Sequence, residues 1–296
     1  MLQQKQIKSV LNKHKKRDSW FLDEYSVNPY EGCSCNCLYC YIRGSKYGEN
    51  MEAGIYIKEN AIEVLEKQLA ARAKKGQFGI VAVGSATDAY LQHEEKLGFT
   101  RKMLELFLKY RFPVFISTKC TLVSRDTALL KEIDKRAILP EDLKETLNRG
   151  VILSVSLSTL DEKISAMLEP GAATPKQRLE LISILKQEGF LVGVNAIPLL
   201  PFISDTEEEI EKIIAASKLH GADYILTGGL TLFGNDARDS KTLFYKFLEK
   251  NNTALLTQYR QLYDQNFYLP HFYQSQIKEK TTRLCRKYNI RNSIIP

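Results

Sequence analysis

Four of the six cysteines, Cys33, Cys35, Cys37 and Cys40, fall within eight residues. A disulfide framework spreads its cysteines to staple distant segments, which this group cannot do. Thiolates crowded on one point suit a soft metal centre. Cys33, Cys37 and Cys40 have the spacing C-x3-C-x2-C. Three thiolates in one short loop can hold three irons of a cubane [4Fe-4S] cluster and leave the fourth iron open. The competing reading is a structural zinc site with Cys33, Cys35, Cys37 and Cys40 as tetrahedral ligands. Zinc sites more often combine two well-separated pairs than one loop.

Such a loop needs a scaffold, and the pattern of apolar runs predicts one. Ser26 to Tyr30 reads as a short extended run that delivers the cysteines. Phe78 to Ser85, Pro113 to Lys119, Val151 to Ser158, Leu191 to Ile197 and Asp223 to Phe233 read as buried parallel strands. Helical periodicity separates them: Glu59 to Lys75, Thr100 to Tyr110, Asp126 to Asp134, Glu141 to Asn148 and Thr174 to Gly189. Thr174-Pro175-Lys176-Gln177 is a capping box with proline at the first helical position. Ser204-Asp205-Thr206-Glu207 reads as a second capping box. Six strands alternating with helices predict an α/β protein with a parallel sheet. Pattern alone leaves open sheet and barrel equally available.

Ligands in parallel α/β architectures bind at the carboxyl ends of the strands. That rule selects Ser85, Ala86, Thr87 and Asp88, then Lys119, Ser156 and Ser158, Asn195 and Pro198, and Thr227 to Gly229. A lysine at the end of a buried strand needs an anionic partner. For Lys119 the choices are an anionic ligand or an ion pair with Asp88 or Glu169. The histidines, His14, His93, His220 and His271, show no metal-ligand spacing, and no Ser-His-Asp arrangement stands out.

The cysteine motif, with Tyr39 before its last member, resembles the signature of the radical S-adenosylmethionine (SAM) enzymes. The longer run N-P-Y-x-G-C-x-x-x-C-x-Y-C-Y is similar to the DNA-repair-photolyase-like branch related to spore photoproduct lyase. The resemblance spans about Tyr25 to Phe233. It implies a partial (βα)6 TIM-like barrel with a helical C-terminal extension. It divides the chain into a basic N-terminal arm (1–25), a core barrel (26–234) and the extension (235–296). It implies a [4Fe-4S] cluster on Cys33, Cys37 and Cys40, SAM as second cofactor, and reductive cleavage of SAM to a 5'-deoxyadenosyl radical. Residues matching the family's SAM contacts are Tyr39, Tyr41, Thr87, Asp88, Lys119, Ser156 and Arg178. Arg178 has an ion pair with Glu180 or Glu169 as its alternative. An electron donor such as a flavodoxin or ferredoxin is the implied partner.

Two departures stand out. Cys35 occupies a place where this branch is expected to carry His or a small polar residue. Ala86 stands where spore photoproduct lyase has its hydrogen-donating cysteine, so thymine-dimer repair does not follow. Cys120 is the candidate hydrogen donor, with core packing as its alternative.

The chain has 296 residues, 44% of them hydrophobic, which fits a globular body. No apolar run approaches the roughly 20 residues of a membrane span. Residues 1–17 lack the apolar core of a signal peptide. Free thiols then imply the reducing cytoplasm. The net charge is +7, with basic residues gathered at Lys5 to Arg17 and Lys278 to Arg291. That charge fits either a phosphate-contacting surface for nucleic acid or solvated faces. The resemblance, together with the basic ends, implies nucleic acid as substrate, acted on by a lyase; a small molecule or peptide is the alternative. A non-catalytic zinc protein is the remaining reading.

Overall fold

A computed structural model of the chain describes residues 2–45, 48, 54–264 and 266–296. The elements run β1 (Leu2–Lys5), β2 (Asn12–Lys13), β3 (Asp23–Val27), β4 (Tyr30–Glu31), β5 (Ile55–Lys58), α1 (Ala61–Lys74), β6 (Ile80–Val83), α2 (Glu94–Leu97), α3 (Phe99–Tyr110) and β7 (Val114–Thr118). They continue α4 (Thr127–Arg136), β8 (Val151–Ser156), α5 (Glu162–Leu168), α6 (Pro175–Gln187), β9 (Leu191–Leu199), α7 (Glu207–Leu219), β10 (Tyr224–Gly229), α8 (Ser240–Asn251), α9 (Thr253–Tyr263) and α10 (His271–Lys287).

Six strands, β3, β6, β7, β8, β9 and β10, pair in parallel in their sequence order. This is the parallel α/β arrangement that the alternation predicts, with the order of a partial barrel. The strands form because both their faces are apolar: every residue of β6 and β8 is buried. One face packs under the helices, for example Val81, Ile116, Val155 and Val194. The other lines the lumen with Ile80, Ala82, Phe115, Ile152 and Leu226. β2 adds antiparallel to the free edge of β3. Beyond it, a Cβ on Gly228 of β10 would stand 3.2 Å from the Trp20 ring. The N-terminal segment thus reaches from β3 toward β10 across the open side of the sheet.

Several local expectations change in the folded chain. The first barrel strand is Asp23–Val27, not Ser26 to Tyr30; Tyr30 and Glu31 instead join β1 and β5 in a small separate sheet. The first 25 residues are more than a leading arm, since Val10 and Leu11 are buried in the core. Glu141 to Asn148 holds only a short 3-10 turn, Glu141–Leu143, rather than a helix. Leu143 and Leu147 are its buried anchors into the lumen, flanked by the exposed Asp142, Lys144 and Glu145. The cap of α7 is Thr206, whose hydroxyl accepts the Glu209 N–H at 3.3 Å. Ser204 turns back to accept the Leu200 N–H at 2.9 Å.

The capping box of α6 is present as read, with Thr174 and Gln177 bonded reciprocally. The aromatic extension packs inward: Phe244, Tyr259 and Tyr263 are fully buried. Tyr259 donates to Pro201 O at 2.7 Å and Tyr263 to Leu230 O at 2.8 Å, which seats α9 against the strand ends. The chain's last turn closes the barrel from below. Ile225 N donates to Arg291 O, and Ile294 joins the lumen residues.

Candidate metal centre and cofactor cavity

The cysteine loop follows β4 and is built from tight turns. Asn36 N bonds to Cys33 O, Cys40 N to Cys37 O, and Arg43 N to Cys40 O. Gly32 and Asn36 take left-handed backbone conformations, with φ of 81° and 51°. Asparagine and glycine tolerate that region better than other residues. Arg43 Nε donates to Cys37 O at 3.1 Å, stitching the loop internally.

Two outside contacts fix the loop's position. Leu38 N donates to Leu168 O at the end of α5, and Gly171 N donates to Cys35 O. Gly171 is needed for this approach: a Cβ there would stand 1.9 Å from Ser34 O. Gly171→Ala is therefore expected to cost about 1–3 kcal/mol and to lower the iron retained by reconstituted protein. Urea unfolding and iron analysis on the same preparation test both parts.

Cys33, Cys35, Cys37 and Cys40 all line one cavity of about 710 Å³ that opens into the barrel lumen. All six cysteines are free thiols. Burial pushes the Cys37 and Cys40 thiols up, and in Cys33 a hydrogen bond with Cys35 acts in the same direction before burial. Thiols in such a place are neutral unless a cation replaces their protons. Three soft donors converging on a sheltered cavity fit a thiolate-held cluster. Asp88 N donates to Cys33 Sγ at 3.4 Å, so the strand-end loop after β6 touches the cysteine loop directly.

The other predicted residues divide by location. Tyr39, Tyr41, Thr87, Asp88, Lys119 and Ser156 line the cavity with the cysteines. Thr87 Oγ1 donates to Gly32 O at 2.5 Å and so holds the start of the loop. Asp88 accepts from Tyr90 N (2.9 Å), Thr118 Oγ1 (2.7 Å) and Lys119 N (2.7 Å). Tyr41 donates to Ser85 O at 2.6 Å. Ser156 and Ser117 hydroxyls stand 3.1 Å apart, and Asn195 Nδ2 donates to Ser117 at 2.8 Å. Cys120 does not line the cavity with them; its sulfur stands 3.7 Å from Cys35 Sγ.

Arg178 is different. Its side chain is completely buried and does not line the cavity. Nη2 bonds Glu169 at 2.5 Å and Ser165 Oγ at 2.8 Å; Nη1 donates to Ser156 O at 2.8 Å. The ligand-binding expectation gives way to the alternative, a pair with Glu169. A buried guanidinium needs a carboxylate, and Glu169 supplies it, while Arg178 Nε has no hydrogen-bond partner among the described residues. Lys119 shares that carboxylate, with Nζ 3.9 Å from Glu169 Oε1. It also stands 6.0 Å from the Tyr39 ring centroid. Burial is the largest influence and lowers the lysine's affinity for its proton, but the Glu169 charge together with the neighbouring Cys37 and Cys35 outweighs it and the net shift is upward. Tyr39 donates its hydroxyl to Glu169 as well.

Sequence reading missed one group. His14, Asp23 and Ser26 meet at the seam where β2 joins β3. His14 Nδ1 lies 3.2 Å from Asp23 Oδ2, and Nε2 lies 3.3 Å from Ser26 Oγ. His14 and Asp23 line the same cavity, as do Lys16 and Arg17. Only the register of β2 on β3 brings them together, and β2 has just two residues. Burial raises the Asp23 carboxyl to about 6, against the opposing pull of His14. A folded-state pKa above the unfolded value makes the protonated form the stabilised one. The contribution of Asp23 to stability should be fully present below about pH 4 and be lost as pH rises through about 6. Asp23→Asn should abolish that loss, a gain over wild type of at most about 3 kcal/mol at pH 7. Urea titrations followed by Trp20 fluorescence at both pH values measure it.

The basic ends carry many local ion pairs. Arg17 bonds Glu24 at 2.6 Å and also pairs with Asp142, Arg283 pairs with Glu207 at 2.5 Å, and Lys287 with Glu211 at 2.5 Å. Among the described residues, no helix is long and apolar enough to cross a membrane.

Comparison with known proteins now bears on this geometry. The family model of the Radical SAM superfamily matches residues 27–217. An uncharacterized protein of Mycobacterium tuberculosis is 29% identical over 273 residues, covering 90% of this chain and 75% of that protein. The Radical SAM Nalpha-GlyT isomerase of Pseudomonas phage M6 is 22% identical over 204 residues, covering 68% of this chain and 39% of that protein. Among solved structures, a spore photoproduct lyase variant with bound AdoMet and dinucleoside spore photoproduct superposes with a TM-score of 0.62. It is 14% identical and covers 92% of this chain and 76% of that one, a likeness of fold.

Proposed function

The chain belongs to the Radical SAM superfamily, and from that premise we propose that it reductively cleaves SAM at a [4Fe-4S] cluster on Cys33, Cys37 and Cys40. The observation that carries the reading is the convergence of these three thiols on a cavity shared with Thr87, Lys119 and Ser156. When bound, such a cluster supplies one electron to the SAM sulfonium, which yields methionine and a 5'-deoxyadenosyl radical.

The chain's own residues bind and orient. The Lys119 ammonium lines the cavity with the cysteines and would face the SAM carboxylate from beside Glu169. Ser156 offers a hydroxyl to the ribose side. Tyr39 and Tyr41 flank Cys40 and bound the adenine side. Thr87 and Asp88 act by position: their side-chain oxygens already hold the cysteine loop and the turn into Lys119. The barrel, which begins with β3 at Asp23, carries this chemistry, and the extension of 235–296 braces it. A flavodoxin or ferredoxin would deliver the electron, in a reducing compartment such as the cytoplasm.

The substrate reading is a nucleic acid or nucleotide, on which the enzyme would act as a lyase. It rests on Lys16 and Arg17 at the wall of the cavity, where phosphate oxygens would meet positive charge, with Arg17 sharing its charge with Glu24 and Asp142. The small-molecule or peptide reading asks for a pocket lined by the aromatic extension. Tyr259 and Tyr263 are instead consumed in packing.

The test is anaerobic reconstitution with iron and sulfide, then SAM with a strong reductant and chromatography for 5'-deoxyadenosine. Its formation supports the reading. A colourless, zinc-holding protein that forms none refutes it. Salt-sensitive binding of single-stranded DNA or RNA supports the substrate class, and no binding at low salt removes it.

A further inference from the structure

At the cluster loop lies a second set of donors, Cys35, Asp88 and Cys120, of which the proposed chemistry uses only Asp88, and that for position. Cys35 Sγ is 3.7 Å from Cys120 Sγ and 3.8 Å from Asp88 Oδ2. All three donor atoms lie within 4.8 Å of one another. A tetrahedral zinc with Zn–S bonds near 2.3 Å sets two of its sulfurs about 3.8 Å apart. The observed sulfur–sulfur separation is therefore the edge of such a tetrahedron before any rearrangement.

The supporting shell is in place too. A ligating carboxylate is normally fixed by further hydrogen bonds. Asp88 accepts one from Tyr90 N, one from Thr118 Oγ1 and one from Lys119 N, which lock its plane toward the two sulfurs. Three separate segments contribute: the cysteine loop, the turn after β6 and the end of β7. Cys35 and Asp88 line the 710 Å³ cavity. A three-ligand site walled on its other sides by protein would keep its fourth position toward that space.

We propose that Cys35, Asp88 and Cys120 form a mononuclear site for a soft divalent cation of the zinc class, adjacent to the cluster loop. Two thiolates and one carboxylate select such an ion over magnesium or calcium. Loading replaces two thiol protons, which leave to solvent, by one divalent charge. The open position takes an oxygen donor, either water or an oxygen atom of a molecule in the cavity. The site differs from a four-cysteine zinc centre, because it leaves Cys33, Cys37 and Cys40 to the cluster. It also gives Cys35 and Cys120 a joint role that neither has in packing alone.

The experiment uses iron-loaded protein, so that the cluster cysteines are engaged. It is titrated anaerobically with cobalt(II), whose thiolate charge-transfer and tetrahedral ligand-field bands report the donors. One cobalt per chain should bind, and added zinc should displace it. Cys35→Ser and Cys120→Ser should each weaken binding at least tenfold, as roughly expected for a disturbed ligand set, while iron stays near four per chain. Absence of a thiolate band in iron-loaded wild type overturns the proposal. So does a band that survives unchanged in both variants. Peptide mass analysis of the iron-loaded protein that finds Cys35 and Cys120 joined by a disulfide overturns it as well. If a variant fails to take up iron, X-ray absorption of the wild-type cobalt form decides. Two sulfur neighbours with oxygen completing the shell support the site, and four sulfurs or none refute it. Failure of SAM cleavage with successful cobalt loading would refute the radical reading alone.

Discussion

Cys37→Ala should give a folded protein that retains no cubane cluster and forms no 5'-deoxyadenosine. The expectation of a complete loss follows from the donor count. The loop offers three thiolates in the C-x3-C-x2-C spacing, and a cluster that keeps one iron open has no spare ligand. Folding should suffer much less. Cys37 is 9% exposed, and among the described residues its sulfur's hydrogen bonding is limited to a long 4.0 Å contact with Cys35 O. The loop is held instead by backbone bonds to Leu168 and Gly171 and by Arg43 on the Cys37 carbonyl. Alanine keeps all of these, so the stability cost should be about 1–2 kcal/mol. Iron content, 5'-deoxyadenosine and the urea midpoint, read on one preparation, separate chemistry from folding. Cys285→Ala is the control, since Cys285 is buried on α10 and takes no part in the loop. A Cys37→Ala protein with full iron and undiminished 5'-deoxyadenosine would remove Cys37 from the cluster.

Part of this site was legible because its signals are local. The cysteine spacing, the strand-end residues Thr87, Asp88, Lys119 and Ser156, and the apolar runs of β6 to β10 each lie within a few residues. Their meaning needs only a period or a spacing. What escaped depends on contacts across long sequence separations. Cys35 and Cys120 are 85 residues apart, and His14 meets Asp23 only through the β2–β3 pairing. The small sheet escaped for the same reason, because β1 and β5 are four-residue strands joined over more than fifty residues. Arg178 shows a different failure. A charged residue in the first turn of a helix looks like a surface or ligand-binding group. Here α6 packs so closely on β8 that its guanidinium reaches Ser156 O from behind the strand. Sequence supplies the charge but not the side of the sheet on which it lies.

That burial makes Glu169 the residue whose loss should damage the fold most. Its carboxylate is 3% exposed and neutralises Arg178 at 2.5 Å and Lys119 at 3.9 Å, while accepting the Tyr39 hydroxyl. Burial alone would raise its pKa, but the two cations pull it below the ordinary carboxylate range. Glu169→Gln keeps the shape and removes the charge, leaving a fully buried guanidinium and a mostly buried ammonium without an anion. Breaking a buried pair in this way costs about 3–5 kcal/mol, or roughly 5–10 °C in melting temperature for a protein of this size. The pH dependence identifies the cause. A carboxylate whose folded pKa lies below its unfolded value stabilises the fold fully above the unfolded pKa. It loses that contribution as pH falls through the folded one. Wild type and Glu169→Gln should therefore differ most near neutrality and converge in acid. A gap that stays constant with pH would mean that Glu169 acts by packing. Iron retention should fall with stability, because Tyr39 stands between Leu38 and Cys40 and its hydroxyl is tied to this carboxylate. Arg178→Met in the Glu169→Gln background should restore stability toward wild type by removing the uncompensated guanidinium, whereas it would destabilise further if Arg178 were held by its neutral partners alone.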